Sequence, residues 1–212
     1  MLVPFRSDGY KGNPRFQSKS TWPCGLFPDP SPSEIAAQQQ TTCSTLEFLL
    51  STATRLQHLR LSCKSLQELP AANSLAQLQN LRSLEFSECK SLQELPASIG
   101  SLSRLTSLTI GWCDELTALP DSVGDLAALQ ELSINDCMML QELPASLAGL
   151  AALHTLVLEN NCYLGDLDKA IFPGLTSLCS LSISMCTTMR ALPRSLVQAS
   201  NLEVLCTRDN RE

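Results

Sequence analysis

Residues 84–105 read "LEFSECKSLQELPASIGSLSRL", and the fold turns on what this stretch shares with the text around it. Residues 108–129, "LTIGWCDELTALPDSVGDLAAL", and 132–153, "LSINDCMMLQELPASLAGLAAL", follow the same template. That template is L-x-L/I/F-x-x-C-x-x-L-x-x-L-P-x-S-Φ-x-x-L-x-x-L, with Φ apolar. The hexapeptide "LQELPA" occurs at 66–71, 92–97 and 140–145. The leucine opening each apolar triplet stands at 59, 84, 108, 132, 156, 181 and 205, in steps of 25, 24, 24, 24, 25 and 24 residues. Beyond residue 45 every proline except Pro173 follows a leucine: Pro70, Pro96, Pro120, Pro144 and Pro193. The chain is built of repeats.

Each part of the template has a local consequence. Apolar residues alternating as L-x-L spell a short strand with one buried face. Proline disfavours the helical region in the residue before it, so the Leu-Pro step prevents an early helix. Past the proline, apolar letters recur at every third position (Ile99, Leu102, Leu105, then Leu108), which suits a tight 3₁₀ or helical return. Strand out and turn back make one coil, and successive strands then lie parallel, ~4.8 Å apart. A single coil buries too little apolar area to offset its chain entropy, so coils are stable only when stacked. "LQELPA" is therefore scaffold.

The totals narrow the function. The net charge of −6 and pI near 5.0 argue against nucleic acid and anionic membranes as partners. No apolar run approaches the ~20 residues of a membrane-spanning helix, and "MLVPFRSDGY" is too short in apolar residues for a secretory signal. Ten cysteines without an export signal, several at a fixed interval, predict reduced buried thiols in a cytoplasmic protein.

Residues 1–45 differ from the rest. They hold six of the 12 prolines and five of the ten aromatics, with "PDPSPSEIAAQQQTTCS" showing no period of 2 or 3.6. Such text is expected to be disordered or loosely packed. The repeats are expected to occupy 46–212, as six to seven coils.

The template resembles the leucine-rich repeat. Cysteine at the ladder position joined to L-P-x-S-I-G is similar to the version in plant intracellular nucleotide-binding leucine-rich-repeat immune receptors, the disease-resistance proteins. The resemblance covers about Leu46 to Thr207. It implies an α/β fold: a right-handed solenoid with a parallel sheet on its concave face and short helical or 3₁₀ turns on its convex face. It also implies a protein-binding module that restrains a nucleotide-binding domain or senses a pathogen effector. Departures from the pattern are plain. No G-x-x-x-x-G-K-[ST] phosphate loop occurs, Asn161 replaces the ladder cysteine in one coil, and that coil lacks its Leu-Pro. The ending "LCTRDNRE" shows no polar cap, so a fragment or truncated product of a repeat region is expected. The alternative is a free-standing intracellular scaffold similar to the Ras-group leucine-rich-repeat proteins, which also use L-P turns.

Candidate chemistry sits in the letters that vary between coils. Cys63, Cys89, Cys113, Cys137 and Cys186 form one column with Asn161, too widely spaced for a zinc motif and suited to a buried structural ladder. His58 and His154 lie four coils apart, roughly 20 Å by strand spacing, so they share neither a metal nor a proton relay. No nucleophile elbow and no cofactor motif occurs, and no enzymatic activity is expected. The candidate protein-binding residues on the concave face are Glu85, Glu88, Thr109, Trp112, Asn135, Asp136 and Glu159. Trp112, flanked by Glu88 and Asp136, reads either as a hot spot at the centre of this acidic face or as a ring along the strand rim. Met138, Met139, Met185 and Met189 are expected to fill irregular gaps rather than to line a cofactor.

Overall fold

The computed structural model describes residues 34–37, 50, 52–69, 74–167 and 170–208. Its strands follow one another along the chain: β1 (Glu34–Ala37), β2 (His58–Leu61), β3 (Ser83–Ser87), β4 (Ser107–Gly111), β5 (Glu131–Asn135), β6 (Thr155–Glu159), β7 (Ser180–Ser184) and β8 (Val204–Arg208). They form one eight-stranded sheet in sequence order, each strand parallel to the next.

The register is the one that the leucine spacing demands. Leu59, Leu84, Leu108, Leu132, Leu156, Leu181 and Leu205 are successive Cα partners across the sheet. From Leu59 to Leu181 this column is buried. The second letters of the triplets, Leu61, Phe86, Ile110, Ile134, Leu158 and Ile183, form a parallel buried column. Alternation of period two thus puts one side of every strand into a single continuous core.

From residue 74 onward the return segments are 3₁₀: Ser74–Gln77, Ala97–Ser101, Asp121–Asp125, Ala145–Gly149, Phe172–Gly174 and Arg194–Gln198. Pro96, Pro120, Pro144 and Pro193 each stand just before one, in extended backbone with ψ of 140 to 148°. A proline there loses no hydrogen bond, because the first N–H groups of a helical turn have no internal acceptor. Ile99, Val123 and Leu147 then bury the inner side of the turn. Successive returns touch through backbone. A Cβ added at Gly124 would lie 2.2 Å from the Ser146 carbonyl oxygen, and one at Gly174 would lie 1.9 Å from that of Ala148.

One feature departs from the sequence-based expectation, and one follows from it. β1 lies inside 1–45, and Ile35 pairs with Leu59, so among the described residues the sheet starts at 34, within the segment expected to be loose. "EIAA" carries one strand's worth of apolar text without the Leu-Pro punctuation, which hid it. The remainder of the expected loose segment lies outside the described residues. In the coil after β6 the Leu-Pro is absent, and Phe172 at the start of the turn takes the place of the smaller Φ residue, fully buried.

Candidate outward sheet face and rim

The side of the sheet opposite the core carries two columns of side chains. Arg60, Glu85, Thr109, Ser133, Val157 and Ser182 are successive partners in the first. Ser87, Gly111, Asn135, Glu159 and Ser184 are partners in the second. A third row follows directly after the strands: Glu88, Trp112, Asp136, Asn160 and Met185, all at positive φ between 52 and 58°. The turn continues the sheet by one rung. The N–H groups of Glu88, Trp112, Asp136 and Asn160 donate to the carbonyls of Gly111, Asn135, Glu159 and Ser184 at 2.8–3.1 Å. Left-handed backbone is tolerated by Asn and Asp through local hydrogen bonding and costs roughly 1–2 kcal/mol at other residues.

This geometry places the seven candidate residues in two settings. Glu85, Thr109, Asn135 and Glu159 lie on strands, in the two face columns. Glu88, Trp112 and Asp136 lie in the left-handed row at the strand ends. Trp112 is therefore at the rim of the sheet and not at its centre, with 42% of its surface exposed. The face is also less acidic than its letters suggest. The Arg60 guanidinium binds Glu85 through Nε and a terminal nitrogen, both at 2.8 Å, and Lys64 reaches Glu88 at 3.5 Å. Asp136 accepts a hydrogen bond from Asn160 Nδ2 at 2.5 Å, and Glu159 accepts one from Ser182 Oγ at 3.2 Å. Asn135 Nδ2 donates to Ser133 Oγ, while its buried Oδ1 has no hydrogen-bond partner.

Sequence reasoning missed a row of apolar side chains beside this rim. Met138, Met139, Tyr163 and Met185 are exposed, so three of the four methionines expected to fill gaps stand at the surface; of the four, Met189 is buried. Met138, Met139 and Tyr163 occupy the two positions after the ladder residue, where other coils carry Lys90, Asp114 and Glu115. That was the available signal: these template positions vary and are polar in neighbouring coils, so their side chains point outward.

The ladder column is structural. Cys89, Cys113, Cys137, Asn161 and Cys186 are fully buried. The thiols point at strand carbonyls, Cys89 at Leu61 and Cys186 at Leu158, with sulfur–oxygen distances of 3.5 and 3.6 Å. Asn161 does the same work with stronger bonds: its Oδ1 accepts from the Cys137 N–H at 3.0 Å and its Nδ2 donates to Ile134 at 2.8 Å. Hydrogen bonding to the Cys137 and Cys89 thiols, together with burial, pushes the Cys113 thiol far up. The Cys113 bond in turn lowers Cys89 to about 7. All cysteines among the described residues are free thiols, and no group of three or more His, Cys, Asp or Glu among those residues could hold a metal ion. His58 and His154 are exposed, and the His154 ring nitrogen Nδ1 lies 2.7 Å from the Ala152 carbonyl oxygen. No helix among the described residues is long and apolar enough to cross a membrane.

Comparison with one solved structure agrees with this architecture. The leucine-rich-repeat domain of the type III effector XopL is 24% identical, with a TM-score of 0.56 over 85% of this chain and 72% of that one. A leucine-rich-repeat protein of Leptospira interrogans is 23% identical over 81% of this chain and 58% of its own, with a TM-score of 0.29. No protein of curated function matches the sequence. A family profile described as a leucine-rich repeat region matches residues 35–140, which begins at β1 and ends in the coil after β5. The chain belongs to the leucine-rich-repeat family.

Proposed function

We propose that this chain is a protein-binding module that reads its partner with the outward face of β3 to β6 and the left-handed row beside it. Trp112 is the anchor, with Glu85, Glu88, Thr109, Asn135, Asp136 and Glu159 around it. The observation that carries this reading is a half-exposed tryptophan held in left-handed backbone next to Gly111, which presents no side chain to obstruct a partner. Large aromatic rings at such positions dominate binding energy in protein interfaces. Leucine-rich-repeat regions generally serve as interaction scaffolds rather than enzymes. Affinity purification with the wild-type chain and with Trp112→Ala tests the reading. Proteins retained by the first should be lost from the second while thermal melting stays the same, and equal retention removes Trp112 from the site.

The finer reading is that the module comes from a plant innate-immunity receptor, where it restrains a nucleotide-binding domain or recognises an effector in the cytoplasm. Its support is the ladder cysteine joined to L-P-x-S-I-G at Cys89 to Gly100. A reading frame for a phosphate-loop domain immediately upstream of this one, and retention of that domain by the purified chain, is the result to look for. A free-standing scaffold of the Ras-group type retains no such domain.

A further inference from the structure

We infer that the exposed positions just beyond the left-handed row form a second docking surface, separate from the outward sheet face and from that row, and that its occupant is a peptide segment in which basic residues adjoin apolar ones. Two neighbouring features carry this. The first is apolar: Met138, Met139 and Tyr163 are exposed on consecutive coils, Tyr163 by 61% and Met139 by 43%. Exposed large apolar side chains clustered on one surface mark interaction sites far more often than singly scattered ones. The second is a groove of about 670 Å³ that ends at Met139 and continues back toward the N-terminal coils. Glu68, Glu94 and Glu115 line it, and no lysine or arginine does.

The charge balance decides the chemistry of the occupant. Lys64 and Lys90, each directly after a ladder cysteine, pair with Glu88 at 3.5 Å and Asp114 at 3.3 Å. Among the three groove carboxylates, Glu115 meets only the neutral Gln93 amide, at 3.3 Å. The groove therefore keeps its negative charge, and a partner must bring the positive charge. Glu94, Glu115, Met139 and Tyr163 sit on four consecutive coils, so the distance from acid to ring is about 15 Å, three strand spacings of ~4.8 Å. Roughly five residues of extended chain cover that span. A short basic stretch followed by leucine or an aromatic residue meets both halves.

The test uses the full chain and three fluorescein-labelled synthetic peptides of equal length in anisotropy titrations at physiological salt. One alternates lysine with leucine and tryptophan, one replaces each lysine by glutamate, and one keeps the lysines but replaces the apolar residues by serine. The lysine–leucine peptide should bind about tenfold or more tighter than either control. Glu94→Lys with Glu115→Lys should weaken it by about tenfold, and Met139→Ser with Tyr163→Ser by a similar factor. All four residues are exposed, so thermal melting should hold in both variants. Thr109→Arg, on the sheet face, should leave this peptide's affinity unchanged, which separates this surface from the face. Equal binding of the lysine and glutamate peptides, or unchanged affinity in either double variant, overturns the proposal. Equal binding of the lysine–serine peptide reduces this surface to a diffuse charge effect and overturns the proposal as well.

Discussion

The coils around β5 and the coil that ends in β8 obey the same template, yet the same letters have different fates in the two places. Leu132 is fully buried between Leu108 and Leu156, whereas Leu205, its equivalent in β8, is 48% exposed. Val197, on the last return segment, is 85% exposed, while its neighbour Leu196, at the Φ position, is only partly buried and the corresponding Val123 and Leu147 are covered. A solenoid residue is buried by the coils on either side of it and not by its own, so position in the stack decides what a conserved-looking letter contributes.

The sharpest way to break that comparison is to put a charge where burial is complete. Leu108→Asp should abolish cooperative unfolding or lower the melting temperature drastically, since an unpaired carboxylate in that core has no partner. Circular dichroism melts that leave it unchanged would mean the register is wrong. Next in size is the matched pair. Leu132→Ala should cost about 2–5 kcal/mol in denaturant unfolding, and Leu205→Ala less than about 1 kcal/mol. Equal losses would show that the last coil is covered in solution.

A smaller difference is expected within the ladder column. Asn161→Ala leaves a buried N–H of Cys137 and the Ile134 carbonyl without their side-chain partner, at a cost of about 2–4 kcal/mol. Cys113→Asn should stay within about 1 kcal/mol of wild type, because weak thiol bonds are exchanged for amide ones that the same column already accommodates. The least effect belongs to the repeated P-x-S serine. Ser122 Oγ is buried with no hydrogen-bond partner, so Ser122→Ala should be neutral or stabilising by up to about 1 kcal/mol. A clear loss would point to a bond that the hydroxyl makes in solution.

Much of the fold was legible because it follows from spacing. A period of 24 with L-x-L at its start leaves only stacked parallel strands, and Leu59 to Leu205 fall into register as that spacing requires. β1 was not legible, since "EIAA" lacks the punctuation that identifies the other coils. The placement of the candidate residues was legible in part. The letters between core positions point outward, as alternation requires, and the seven chosen residues all lie on or beside that face. The exposure of Met138, Met139 and Met185 was not legible from hydrophobicity, because it follows from their template positions outside the core columns.

The one-dimensional pattern by itself determined which side of each strand meets the core, where each coil turns, and that the coils must stack. Those properties depend on local stereochemistry and on the entropy of a lone coil. Tertiary structure alone decided that Trp112 stands at the rim in left-handed backbone, that Arg60 and Lys64 pair with Glu85 and Glu88, and that Glu68, Glu94 and Glu115 line one groove that no lysine or arginine lines. Each of these joins residues some 24 positions apart, brought within a few ångströms by stacking, and only coordinates reveal which long side chain reaches which neighbour.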